Sequence, residues 1–171
     1  MWEGSDAVIL NDYGHVLLEL RSDVHLWALP GGGRAGKETP EQTAVRETFE
    51  ETGLKVKPIR YVGSYKISYF HYKRLSYVFV CKMTGGKLAT NRESTKIRFF
   101  HPQKLPKRLF YIHKQRLIDA LAGKENAMKV QRLSAWRILA NTGFNPALSA
   151  RVVLFSLRVL AEPLQAKSTS P

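Results

Sequence analysis

The sequence predicts a layered α/β protein with one main domain and a helical extension at the C-terminus. Short apolar runs separated by turn residues are typical of strands, and a segment with signals for both helix ends lies among them. Segments with helical spacing follow in the second half of the chain. The 171 residues are 44% hydrophobic and 24% charged. These ordinary globular proportions exclude a mainly disordered, collagen-like or disulfide-scaffold chain.

Two apolar runs near the N-terminus predict the first strands. Ala7 to Leu10 and Val16 to Leu18 flank Asn11 to Gly14, which is typical of a tight turn. Trp27 to Pro30 then leads into Gly31 to Gly33, a loop whose backbone can adopt conformations closed to other residues.

Residues 40–52 predict a helix with both ends marked. Thr39 can cap the N-terminus, Pro40 suits the first helical position, and Gln42 completes a capping box. Gly53 fits the position just after the last helical residue.

The next part of the chain is rich in β-branched and aromatic residues. Strands are predicted over Ile59 to Phe70, Leu75 to Met83 and Thr95 to His101. We expect turns at His71 to Arg74 and at Gly85-Gly86.

Helical spacing returns in the last third of the chain. It predicts a helix over Leu109 to Leu121 that stops at Gly123, and two more over Glu125 to Ala140 and from Asn145 to Leu160. The expected organisation is a domain over 1–123, a helical extension over 124–163 and a flexible tail over 164–171. The last helix is apolar nearly all round, so it needs cover from its own domain, a second copy in a homodimer, or an anionic membrane surface.

Three acids on the predicted 40–52 helix form the most informative group. Glu47, Glu50 and Glu51 stand at i, i+3 and i+4, so they point from one side, while Ala44, Val45, Thr48, Phe49 and Thr52 are expected to pack on a sheet. Crowded carboxylates repel each other, and a hard divalent cation such as Mg²⁺ or Mn²⁺ removes that cost. A solvated acidic face is the alternative for the three acids taken alone.

The spacing around these acids is more specific. From Gly32 to Leu54 the sequence resembles the signature of the Nudix hydrolase family, G-x5-E-x7-R-E-U-x-E-E-x-G-U, where U is a bulky aliphatic residue. All seven specified Gly, Glu and Arg positions match, and Thr48 departs at the first U position. Similarity extends over roughly 5–122 and includes Trp27 to Gly33 and the Glu-led strand from Glu93.

The resemblance implies a fold, a reaction and a site. The fold is an α/β/α sandwich around a mixed sheet, and the reaction is metal-dependent hydrolysis of a nucleoside diphosphate linked to another moiety. Glu47, Glu50, Glu51 and the carbonyl of Gly32 would bind Mg²⁺ or Mn²⁺. Two further residues, Glu38 and Arg46, would orient these carboxylates.

A carboxylate that the metal leaves available can accept a proton from the attacking water. The candidates for this general base are Glu50 and Glu93. Glu93 is one of only four acids after residue 53 and lies where the family often has a late Glu. Lys96 stands where relatives often carry another acid.

Charge is divided unevenly along the chain. Residues 1–53 hold ten acids and four bases, whereas 54–171 hold four acids and 23 bases. A basic field favours phosphate-bearing ligands, so we expect a small nucleotide substrate. Capped or 5′-triphosphorylated RNA is an alternative substrate, and a non-catalytic nucleotide- or RNA-binding module is an alternative function.

The remaining candidates have structural interpretations. Tyr65, Tyr69, Phe70, His71 and Tyr72 could stack on a base but suit half-buried strand positions, and Trp27 is read as a core residue. His101 and His113 lack ligand spacing, and Cys81 lies in a predicted strand. A single cysteine, no secretion signal and no run long enough to span a bilayer predict a cytoplasmic protein.

Overall fold

The computed structural model describes residues 2–69, 72–132, 134–142 and 145–161. Its main element is a mixed five-stranded sheet with the strand order β4-β1-β6-β5-β8. These strands are β1 (Trp2–Ile9), β4 (Gly31–Gly33), β5 (Leu54–Tyr69), β6 (Tyr72–Gly86) and β8 (Ala127–Arg132). The glycine strand β4 forms one edge and pairs antiparallel with β1.

A second sheet of three strands has the order β3-β2-β7. Its strands are β2 (Val16–Arg21), β3 (Trp27–Ala28) and β7 (Ser94–Phe100). The turn expected between β1 and β2 is confirmed, because Asn11 Oδ1 accepts the backbone N–H groups of Tyr13 and His15. The two strands then enter different sheets, and an isolated bridge pairs Leu10 with Val16 where they diverge.

Helices cover both faces of the main sheet, as the α/β prediction requires. Helix α1 (Pro40–Thr52) packs through Ala44 on the face that carries Ala7, Ile9 and Phe79. Helix α2 (Tyr111–Leu121) packs through Leu117 and Ala120 on the opposite face, against a cluster that contains Val8, Val62 and Val78. The alternation of β1 side chains between the two faces therefore builds two apolar cores.

Both ends of α1 are as predicted. The Thr39 hydroxyl accepts the N–H of Gln42, and the Gln42 side chain accepts the N–H of Thr39 at 2.8 Å. Gly53 adopts the left-handed conformation at φ 73°, and its N–H donates to the Phe49 carbonyl. Since each cap contributes about 1 kcal/mol, the helix start and end are fixed locally.

Strands β5 and β6 form one long antiparallel hairpin that extends past the predicted strand ends. Tyr72 to Arg74 belong to β6, so the turn expected at His71 to Arg74 is wrong for these three residues. Gly85 and Gly86 are also not a turn, because they pair with Lys55 and Leu54 at the end of β6. The partner strand supplies hydrogen bonds that override the local turn preference of both segments.

The helix predicted over Glu125 to Ala140 is wrong. Its first part is the strand β8, which adds to the edge of β5 in parallel, and only Ala135–Asn141 is helical (α3). Lys129 and Gln131 point inward, to Asp119 and to the Ile112 carbonyl. The open edge of β5 therefore decides the conformation, since pairing satisfies its backbone groups.

The last described helix, α4 (Pro146–Ala161), matches its predicted range closely. Leu148 and Val152 are buried in a cluster with Val24, Leu26, Ile67, Phe110 and Ile112. Its own domain thus provides the cover for these two side chains, whereas Leu154 is exposed. No helix within the described ranges is long and apolar enough to cross a membrane.

A buried polar network crosses the sheet beneath α2. The Arg116 guanidinium donates to Asp6 and, at 3.2 Å, to the Ser76 hydroxyl, and both charged residues are at most 5% exposed. His113 lies beside Asp6, and burial lowers the pKa of its imidazole to about 3 against the opposing charge of Asp6. The imidazole is therefore neutral, which agrees with the structural role expected for it.

Candidate active site

Glycine strand β4 lies directly beneath one side of helix α1. A β-carbon at position 32 would overlap with the carboxylate carbon and both oxygens of Glu47. Only glycine leaves room for this carboxylate against the strand backbone. The chain therefore brings two of the predicted metal-binding residues, Gly32 and Glu47, into direct contact.

Glu51 lies one helical turn after Glu47 and is 2% exposed. Its Oε2 accepts the N–H of Gly31 at 2.7 Å, which joins the helix to the glycine strand a second time. Burial and the neighbouring negative charge of Glu19 raise the pKa of the Glu51 carboxyl well above its usual range, although the Gly31 N–H opposes them. Arg21 also opposes the rise, but burial and the neighbouring acids outweigh it.

Arg46 connects the remaining acids of this region. It donates to both oxygens of Glu38 at 2.7 and 3.0 Å, to Glu47 at 2.9 Å, to Glu50 at 3.0 Å and to the Gly33 carbonyl at 2.8 Å. The Arg46 hydrogen bonds lower the pKa of the Glu38 carboxyl, despite partial desolvation. Arg46 and Glu38 thus hold neighbouring carboxylates in place, as the family resemblance implies for them.

The three helix acids differ in exposure, which the helical spacing did not predict. Glu47 and Glu51 belong to the buried side of α1, together with Thr43, Ala44, Thr48 and Thr52. The side chain of Glu50 is 52% exposed. The glycine strand covers the side of the helix that carries Glu47, so this side is buried. Phe49, which was expected to pack on the sheet, lies outside the buried side and is 51% exposed.

The segment that carries Glu93 is fastened to the C-terminal end of α1. Asn91 Nδ2 donates to the Glu50 carbonyl at 2.9 Å, and the Ser94 hydroxyl donates to the Glu51 carbonyl at 3.0 Å. The Glu93 backbone bonds Asn91 and Ser22, and its side chain is exposed. The fold therefore holds this late acid beside the end of the predicted site.

Glu19 is a further acid near the site, and the sequence pattern did not predict it. It is on β2 and is 1% exposed, in the otherwise apolar run from Val16 to Leu20. Burial raises the pKa of its carboxyl to about 8, and nearby Glu93 and Glu47 add to this effect while Arg21 opposes it. A lone acid in an apolar strand was the available signal.

Other predicted candidates take structural positions. Tyr65 is fully buried and donates its hydroxyl to Asp119 at 2.9 Å, so it is not open to a base. Trp27 is partly buried and packs edge-to-face on Phe100 against the core. Cys81 is buried, which raises the pKa of its thiol to about 12. Tyr69 and Tyr72 are paired in the β5–β6 hairpin, His101 is exposed, and Phe70 and His71 lie outside the described residues.

The chemistry of these donors fits a hard divalent cation. Carboxylate and carbonyl oxygens are the ligands that Mg²⁺ and Mn²⁺ prefer, and buried carboxylates with raised pKa values gain most from a counter-charge. With the side chains as they stand, no three His, Cys, Asp or Glu residues in the described ranges are grouped closely enough to hold a metal. Binding would need Glu47 or Glu50 to turn from Arg46, and the exposed Glu50 is free to do so.

The fold and site together define an α/β protein in which an acidic helix is held over a glycine strand at the edge of a mixed sheet. Comparison with known proteins makes the assignment specific. Residues 3–121 match the NUDIX domain, and the chain belongs to this family. It is a hydrolase that acts on pyrophosphate bonds.

Two relatives and one solved structure illustrate the likeness. A MutT-like protein from Streptomyces ambofaciens is 37% identical over 117 residues, 68% of this chain and 75% of that protein. A putative 8-oxo-dGTP diphosphatase from Bacillus subtilis (strain 168) is 31% identical over 72% of this chain and 83% of its own length. The crystal structure of an ADP-ribose pyrophosphatase from Streptococcus suis 89-1591 shares the fold, with a TM-score of 0.61 and 24% identity over 76% of this chain and 98% of that chain.

Changing Gly32 to Ala should lower kcat about 100-fold. The new methyl group would push the Glu47 carboxylate from the strand. The family resemblance implies that Glu47 binds the metal, and a displacement of about 1 Å at such a site is enough for this loss. Steady-state hydrolysis assays check this. Gly33→Ala is the matched control, because the atoms nearest to a β-carbon there belong to the Trp2 ring, at 3.2 Å or more, and not to Glu47. Equal losses in both variants would contradict the assigned role of Gly32.

Proposed function

We propose that the protein uses Mg²⁺ or Mn²⁺ to hydrolyse the pyrophosphate linkage of a nucleoside diphosphate joined to another moiety, such as a nucleoside triphosphate, a nucleotide sugar or ADP-ribose. The observation that carries the proposal is the burial of Glu47 and Glu51 against the glycine strand, with the exposed Glu50 between them in sequence. A divalent cation stabilises buried carboxylates and can also bind the phosphates of a substrate.

Glu47, Glu50, Glu51 and the Gly32 carbonyl would hold the metal. When bound, a divalent cation neutralises phosphate charge and lowers the pKa of a coordinated water. Arg46 and Glu38 keep the carboxylates oriented through their shared hydrogen bonds. Fixed orientation matters because the carboxylates then need little rearrangement during the reaction.

Glu50 is the proposed general base, with Glu93 as the second candidate. The exposed carboxylate of Glu50 can accept a proton from the water that attacks phosphorus, while the bond from phosphorus to the bridging oxygen breaks. Each product then ends in a phosphate group. Glu93 lies on a segment tied to the same end of α1, so it can reach the same substrate region.

A small nucleotide is the proposed substrate. The similarity to a putative 8-oxo-dGTP diphosphatase over most of both chains supports a nucleoside triphosphate among the candidates. The 23 bases after residue 53 supply a positive field that attracts the phosphates to the acidic site.

A substrate panel tests the proposal. The full chain with Mg²⁺ or Mn²⁺ is incubated with normal and oxidised nucleoside triphosphates, nucleotide sugars, ADP-ribose, dinucleoside polyphosphates and capped or 5′-triphosphorylated RNA. We expect release of a nucleoside monophosphate from a small nucleotide, detected by anion-exchange chromatography and abolished by EDTA. No product from any substrate would refute the proposal.

Salt dependence separates the two substrate classes. An RNA that touches many phosphate-binding side chains loses affinity steeply as salt rises, whereas a small nucleotide loses less. Turnover of RNA alone, with a steep salt dependence, would replace the small nucleotide by the RNA substrate.

A further inference from the structure

Glu19 stands out among the acids that the proposed reaction leaves without a role. Its strand β2 lies between β3 and β7, where it pairs with Ala28 and Ile97. The residue is 1% exposed, and its Oε2 has no hydrogen-bond partner. Because an unpartnered buried carboxylate oxygen is costly, a fold retains one only where something else offsets the cost.

The groups around Glu19 are mostly of the same charge. The start of β7 joins this strand to α1, because Ser94 pairs with Arg21 and donates its hydroxyl to the Glu51 carbonyl at 3.0 Å. The negative charges that act on Glu19 are those of Glu47 and Glu51 on α1, Glu93 before β7 and Asp23 after β2. Arg21 is the cation on its own strand, but it donates to both oxygens of Asp23 at 3.0 and 2.7 Å. The acids on α1 therefore face a further buried acid across the junction between the helix and the small sheet.

We infer that Glu19 provides an additional carboxylate to the metal site, from a strand outside the family signature. The inference rests on the proposed function. A divalent cation between Glu19, Glu47 and Glu51 would give the unpartnered Glu19 oxygen a partner and neutralise charge on the two helix carboxylates, which at present bond Arg46 and the Gly31 N–H. A solvated surface acid would be exposed, and a structural buried acid would have its oxygens hydrogen-bonded.

Manganese binding tests this directly. The full chain and its Glu19→Gln variant are titrated with Mn²⁺, and the free ion is followed by electron paramagnetic resonance, so that turnover is not the readout. We expect Glu19→Gln to bind Mn²⁺ at least about tenfold more weakly, or to bind one ion fewer. Glu41→Gln is the matched control, because Glu41 is an exposed acid in the first turn of the same helix.

Melting temperatures give an independent readout. Without metal, Glu19→Gln should melt at or above the wild-type temperature, because the substitution removes a buried acid that has an unpartnered oxygen and several acids around it. The same concentration of Mg²⁺ should then raise the melting temperature of the variant less than that of the wild type, since the stabilisation by a ligand grows with the logarithm of its concentration divided by its Kd.

Two results would overturn this inference and leave the proposed function intact. The first is a Glu19→Gln variant that binds the same number of Mn²⁺ ions with the wild-type affinity. The second is a variant whose melting temperature without metal is lower than that of the wild type while its Mn²⁺ binding is unchanged. The absence of Mn²⁺ binding in the wild type would instead overturn the proposed function and this inference with it. If Glu19→Gln does not fold, Glu19→Asp keeps the charge on a shorter side chain. Weaker Mn²⁺ binding by that variant supports the inference, and unchanged binding overturns it.

Discussion

Replacing Glu50 by Gln should lower kcat about 10²- to 10⁴-fold, the usual contribution of a general base. The amide keeps the size of the side chain but cannot accept a proton from water. Because the Glu50 side chain is 52% exposed, we expect the melting temperature to stay near the wild-type value. Stopped and continuous hydrolysis assays on the preferred substrate, together with thermal unfolding, measure both quantities.

Glu41→Gln is again the appropriate control, since it removes one charge from the same helix at an exposed position. It should keep near wild-type turnover. A Glu50→Gln enzyme with wild-type kcat would remove Glu50 from the mechanism and direct attention to Glu93. If Glu93→Gln were equally active, neither of the two candidates would be the required general base.

Replacing Arg116 by Leu should destabilise the fold by about 3–5 kcal/mol, the cost typical of removing one partner of a buried ion pair. Arg116 is 2% exposed and its guanidinium bonds Asp6, Ser76 and Gln131. Leu leaves the buried Asp6 carboxylate without its counter-charge. Urea unfolding at neutral pH measures the free energy of unfolding.

The double variant Asp6→Val with Arg116→Leu separates charge from packing. Removing both charges should recover much of the lost stability, because the penalty in the single variant comes mainly from the unpaired carboxylate. A double variant as unstable as Arg116→Leu would show instead that the shape of the arginine side chain is what the core requires.

Local segments were the most predictable part of this chain. Helix α1 begins and ends at the predicted residues because its signals lie within four residues of each end. The β8 segment was predicted wrongly as a helix. Its residues have helical spacing, but hydrogen bonds to the open edge of β5, about 60 residues earlier in the chain, hold it as a strand. Propensity decides a conformation only where no distant partner competes.

By itself, the sequence determined the family signature from Gly32 to Leu54 and with it the reaction class, since these residues are close in the chain and a capped helix sets their spacing. Only the tertiary structure decided which acids are buried. It placed Glu47 and Glu51 against the glycine strand, left Glu50 exposed and brought Glu19 to the same region from a separate sheet. Burial depends on contacts between segments that are remote in sequence, and helical periodicity carries no information about them.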